Sequence, residues 1–134
     1  MNSRTAVRSA STLQRIVLVV DDEPLLRMFA TDIVEEAGFT AIEAADADEA
    51  ISILESRSDI ALVITDINMP GSMDGAKLAR AVRDRWPPIK IVVVSGQMCL
   101  PDLDLPLGTR FFVKPYPAAT MISLLQSLVS REIV

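Results

Sequence analysis

Asp21, Asp22, Asp66, Ser95 and Lys114 are far apart in the sequence, yet together they have the types needed for phosphoryl chemistry. A carboxylate can attack phosphorus and form an acyl phosphate. The transferring group carries negative charge on its equatorial oxygens. It therefore needs a metal on one side and a cation or hydrogen-bond donors on the other. Aspartates gathered at one place repel one another, and such a cluster raises a pKa or binds a cation. With oxygen ligands only, and no histidine anywhere in the chain, the expected cation is Mg²⁺ or a similar hard ion. Lys114 brings a second positive charge and Ser95 a hydroxyl donor. Taken singly, each has an ordinary explanation: aspartates cap helices, and a lysine can simply pair with a buried carboxylate. Their joint occurrence is what points to phosphoryl transfer.

These residues are useful only if the chain brings them together. Ile16–Val20 is a continuous apolar run rich in β-branched residues and ends in Asp21-Asp22, which reads as a strand buried on both faces. Pro24 suits the first turn of a helix. Leu26, Ala30, Ile33, Val34 and Ala37 follow at helical spacing until Gly38, a helix stop. Thr40–Ala44 is a second, weaker strand, and Asp46 with Glu49 makes a capping box for a helix through Ile51 and Leu54. Ile60–Thr65 is a third strand ending at Asp66. A loop through Asn68 and Ser72 then leads to a helix carrying Leu78, Ala79 and Val82, closed by Pro87-Pro88. Ile91–Val94 precedes Ser95-Gly96, and Phe111–Val113 precedes Lys114-Pro115. The last helix carries Ala118, Met121, Ile122, Leu125 and Val129. Alternating strands and helices predict an α/β fold with a parallel sheet covered on both faces. Ligands in such sheets sit beyond the carboxyl ends of the strands, where all of these candidate residues lie.

The bulk properties agree. A length of 134 residues suits one domain, read here as a flexible Ser/Thr/Arg-rich tail at 1–14 and a folded domain at 15–134. Half of the residues are hydrophobic, which excludes a disordered chain. The 18 acidic residues outnumber the 13 basic ones, against a nucleic-acid partner. A single cysteine, Cys99, rules out an intramolecular disulfide and fits a reducing, cytoplasmic setting. No apolar run approaches the roughly 20 residues needed to span a membrane.

The segments VLVVDDEPLLR, VITDINMPGSMDG, VVVSG and FFVKPY together resemble the response-regulator receiver domain of two-component signalling, over Ile16 to Val134. The resemblance implies a flavodoxin-like, doubly wound, five-stranded sheet in the order 2-1-3-4-5. It implies Asp66 as phosphoacceptor, Asp22 as a direct Mg²⁺ ligand, Asp21 as a mainly water-mediated one, and Asn68 as a ligand through its backbone carbonyl. It makes Ser95 the switch hydroxyl, Phe111 the switch aromatic and Lys114 the phosphate-binding lysine, with a cis Lys114-Pro115 bond. The donor would be a histidine kinase or histidine phosphotransfer protein. The only catalysis implied is the phosphorylation and dephosphorylation of Asp66 itself.

Departures from the family pattern set further expectations. Ser72 lengthens the loop after Asn68, and Phe111 carries no hydroxyl. Pro101 and Pro106 oppose a regular helix between the fourth and fifth strands, so the segment Gln97–Thr109 is expected to be irregular and mobile, with that helix short or lost. A dimer through that face would then be weak and the domain a monomer, its partner docking near the first helix and the Lys114-Pro115 loop. The chain ends after its last helix, so output is expected through a contact with a downstream protein or a relay. Other readings are a degenerate receiver acting as a binding adaptor, a haloacid-dehalogenase-like phosphohydrolase and a flavodoxin-like electron carrier. The intact Asp, Ser and Lys set argues against the first. Asn68 stands where the second needs an acid, and Asp-Asp-Glu-Pro stands where the third needs a Ser/Thr/Gly-rich loop.

Overall fold

The strand β1 (Ile16–Val20) alternates its side chains between two separate apolar layers, which is why every residue in it is buried. In the computed structural model, which describes residues 15–68, 74–96 and 105–129, β1 lies between β2 (Thr40–Ala44) and β3 (Ile60–Asp66). The strands β4 (Lys90–Ser95) and β5 (Arg110–Val113) complete a parallel sheet of order β2-β1-β3-β4-β5. Leu18 and Val20 pack with Val63, Ile91 and Val93 under α2 (Ala47–Ser56) and α3 (Gly75–Arg85). Val17 and Val19 pack with Leu62, Ile64, Val92 and Val94 under α1 (Pro24–Glu36) and α4 (Ala118–Val129). The expected fold, with its strand order, is therefore the observed one. The edge strands β2 and β5 are only partly buried.

Local chemistry sets the ends of these elements. Pro24 opens α1, where its missing N–H is no loss. After Ala37, Gly38 takes a positive φ of 101°, the left-handed conformation that glycine adopts without steric penalty. Asp46 caps α2 as expected, while Glu49 reaches back one residue further than in a capping box, to the residue before the cap. Asp46 Oδ1 accepts from the Glu49 N–H at 2.8 Å, and Glu49 Oε1 accepts from the Ala45 N–H at 2.8 Å.

Two boundaries differ from the sequence reading in a way that matters. Asp66 and Ser95 are the last residues of β3 and β4, and do not lie beyond them: Asp66 pairs with Val94 and Ser95 with Val113. Backbone pairing outlasts the apolar run by one residue, so the sheet aims these two side chains directly. Residues 97–104, which carry most of the segment expected to be irregular and mobile, lie outside the described residues. So do residues 69–73, including Ser72. Residues 105–109 contain no helix. They form a turn closed by the Thr109 N–H on the Pro106 carbonyl at 3.1 Å. Among the described residues no helix is long and apolar enough to cross a membrane.

Replacing Asp46 with alanine leaves the α2 amino terminus without its acceptor. The expected loss is about 1 kcal/mol, seen in urea as a lower midpoint at unchanged slope.

Candidate functional site

Side chains two residues apart on a strand share a face, and this sorts the site. Asp21, Asp66 and Lys114 follow Val19, Ile64 and Phe112, which belong to the layer beneath α1 and α4. Ser95 follows Val93, which belongs to the layer beneath α2 and α3. Because β1, β3, β4 and β5 are consecutive neighbours, their carboxyl ends bring these residues to one edge from both sides. Carboxylate oxygens of Asp21, Asp22 and Asp66 lie within 4.8 Å of one another. Lys114 Nζ stands 3.3 Å from Asp66 Oδ2 and 3.5 Å from Asp21 Oδ2. Its backbone N–H donates to the Ser95 carbonyl at 2.7 Å, and the following bond to Pro115 is cis, as expected.

The carboxylates are not equivalent. Asp21 is 4 % exposed and Asp66 7 %, while Asp22 is more open than either. Asp21 Oδ1 also accepts from the Glu23 N–H at 2.9 Å, so both of its carboxylate oxygens already have a partner within the fold. Burial pushes the Asp66 carboxyl above its usual pKa. Lys114 opposes that shift, the Asp21 charge adds to it, and hydrogen bonds from Lys114 and the Asn68 backbone oppose it. This is an all-oxygen donor set with excess negative charge and one open side, which fits Mg²⁺ better than a softer metal.

Phe111 is half-buried and pairs with Val93 on the same face of the sheet as Ser95. Leu105 is another partly buried residue packed against that layer. The sequence reading passed over Gly75. A Cβ there would overlap the carbonyl oxygen of Asp66, and the Gly75 N–H donates to the Ile67 carbonyl at 2.9 Å. Glycine thus lets the start of α3 close against the backbone that carries Asp66. A glycine directly after the N-cap Asp74, at a helix start where glycine gains nothing by propensity, was the available signal.

Tyr116 was also passed over. Its ring meets Phe29 of α1 and Phe112 of β5, each at 5.9 Å between centroids. Burial, and then the Asp21 charge, push its phenol up to about 12, so it stays neutral. A cavity of about 300 Å³, lined by Leu26, Phe29, Ala30, Pro115 and Tyr116, lies directly beside Asp21 and Lys114.

The family model described as response regulator receiver domain matches residues 17–125. The chain is 40% identical over 120 residues to sensor kinase CckA of Brucella abortus, covering 87% of this chain and 13% of that protein. It is 28% identical over 120 residues to the response regulator receiver protein CpdR of the same organism, covering 87% of this chain and 98% of that one. Among solved structures it is similar to response regulator protein TrrA of Thermotoga maritima in complex with Mg²⁺ and BeF. That likeness has a TM-score of 0.76 at 26% identity and covers 85% of this chain and 98% of the other.

The burial of Asp66 has a measurable cost. Its folded-state pKa is raised, so the folded protein holds a proton that the unfolded chain has already lost, and stability falls as pH rises through that window. Asp66→Asn is therefore expected to be more stable than the wild type at neutral pH in metal-free buffer. The gap should close as pH drops below the ordinary aspartate range, and millimolar Mg²⁺ should narrow it. Thermal melts across pH, with and without Mg²⁺, check this.

Proposed function

This chain belongs to the response regulator receiver domain family, a phosphoryl-accepting module of two-component signalling, and we propose that Asp66 is the residue that takes the group. The observation that carries this is the buried Asp66 carboxylate, paired at 3.3 Å with Lys114 and grouped with Asp21 and Asp22. A carboxylate oxygen of Asp66 bonds to phosphorus as the phosphorus–nitrogen bond of a phosphohistidine breaks and its electron pair returns to the imidazole. The donor is a histidine kinase or a histidine phosphotransfer protein.

Mg²⁺, held by Asp22, Asp66 and the Asn68 carbonyl directly and by Asp21 through water, would offset the charge of the cluster and of the phosphoryl oxygens. Asp21 suits an outer role because its oxygens are already engaged by Glu23 and Lys114. Lys114 exchanges its contact with Asp66 for a phosphoryl oxygen. Ser95 donates its hydroxyl to another, and Phe111 responds in the same layer. With no hydroxyl on Phe111, that response is a change of ring position. The acyl phosphate is then lost by hydrolysis at the same site, and no other reaction is assigned to the chain.

The donor docks on α1. Leu25, Met28 and Phe29 are exposed at 74%, 57% and 44%, an apolar face that continues into the cavity beside Lys114 and Pro115. An apolar face with few charges suits a protein partner and not nucleic acid. We assign a monomeric, cytoplasmic receiver whose output is a contact with a downstream protein.

Incubation with acetyl phosphate and Mg²⁺ is expected to add one phosphoryl group by intact mass, and Asp66→Asn or EDTA to abolish it. Labelling undiminished in EDTA would sink the assignment. A second outcome separates the helpers. Lys114→Ala should still be labelled but lose the phosphorylation-dependent shifts of amide NMR signals. Ser95→Ala, which forfeits a hydrogen bond worth about 1.5–3 kcal/mol to a charged partner, should keep labelling and weaken those shifts.

A further inference from the structure

We propose that Arg27 is a positioning residue for the metal site: it holds the turn between β1 and α1 in the shape that presents Asp21 and Asp22. This rests on the phosphoryl-acceptor reading above and assigns that site one more part.

Asp21 is the residue at which β1 leaves the sheet. Its N–H makes a last rung with the Ala44 carbonyl at 3.1 Å. Beyond that rung the chain of β2 departs for α2, and the Ala45 N–H is taken by Glu49 at 2.8 Å. The Asp21 carbonyl, on a residue only 4 % exposed, thus lies where the ladder has ended. Arg27 Nη1 reaches back from α1 and donates to it at 2.7 Å. Arg27 Nε donates to Glu43 Oε1 at 3.0 Å, and Glu43 stands on β2.

The guanidinium therefore joins α1, the end of β1 and the edge strand. Its planar fork can serve two acceptors at once, which a lysine ammonium on a flexible stem does less well. A surface ion pair with Glu43 alone would leave the arginine in solvent and contribute little. Here the Arg27 side chain is 19% exposed against 51% for Glu43, so the arginine is committed to the turn.

The bond matters for chemistry because the Asp21 carbonyl belongs to the planar peptide unit that leads into Asp22. Fixing that carbonyl fixes the plane, and the plane sets where the Asp22 side chain departs. Asp21 itself is then held at its N–H, its carbonyl and both carboxylate oxygens. Without Arg27 the carbonyl is released, and with it the spacing of the two carboxylates.

The test is a Mg²⁺ titration of the full chain, followed by amide NMR signals of Asp22 and Asn68, alongside the acetyl phosphate labelling rate against Mg²⁺ concentration. Arg27→Met keeps the bulk and removes both hydrogen bonds. It is expected to weaken Mg²⁺ binding about tenfold, the scale typical of residues that orient metal ligands, and to recover labelling at saturating Mg²⁺. Arg27→Lys should fall between it and the wild type, and Glu43→Gln should weaken binding less than Arg27→Met. An Arg27→Met protein that binds Mg²⁺ as the wild type does overturns the proposal, as does one that loses labelling at saturating Mg²⁺ with unchanged affinity. If Arg27→Met does not fold, Arg27→Lys decides between the same outcomes. A wild type that binds Mg²⁺ yet is not labelled at Asp66 overturns the parent reading instead.

Discussion

Asp21 and Asp66 place two carboxylates at a nearly dry edge of the sheet, each less than a tenth exposed. Like charges in such surroundings are costly, because both lose water and each raises the free energy of the other. The fold concentrates its compensation there. Lys114 reaches both from β5, the Glu23 N–H caps one oxygen of Asp21, and the Asn68 backbone supports Asp66. Even so, the Asp66 carboxyl remains raised. Burial is the largest cause of that shift, and Lys114 outweighs the Asp21 charge, so the edge keeps three carboxylates against one lysine, a balance that favours a hard cation.

The two layers of the core divide the residues of the sheet edge between them. The layer beneath α1 and α4 carries Asp21, Asp66, Lys114 and Tyr116, and its outer helix α1 exposes the apolar residues around Phe29. The layer beneath α2 and α3 carries Phe111, with Ser95 on the same face of β4. The acidic cluster, Lys114 and the exposed apolar residues of α1 thus fall on one side of the sheet. Ser95 and Phe111 fall on the other, and only the width of the sheet edge separates the two groups.

α1 shows how closely one helix can combine these demands. Ala30, Ile33 and Val34 are buried against the sheet, while Leu25 and Met28 are exposed. Arg27, between those faces, turns inward to the backbone of β1. The aromatic contact of Phe29 with Tyr116 then ties the same helix to the loop that carries Lys114. The exposed apolar residues and the arginine that holds the Asp21 carbonyl are therefore carried on one helix.

Apolar runs of β-branched residues, helical spacing of the intervening segments, and Asp, Ser and Lys at the run ends determined from sequence alone the fold class and which residues come to one edge of the sheet. The reason is that hydrophobic periodicity and strand-end placement are local signals. Arg27 and Tyr116 carry no such signal, and Gly75 only its place directly after an N-cap aspartate. Gly75 is required by the Asp66 carbonyl in a different element, Arg27 by an orphaned carbonyl at the end of β1, and Tyr116 by rings on α1 and β5. The difference in state between Asp21 and Asp22, adjacent and chemically identical, was likewise decided by tertiary structure. Only packing determines which carboxylate is buried and hydrogen-bonded and which is left open.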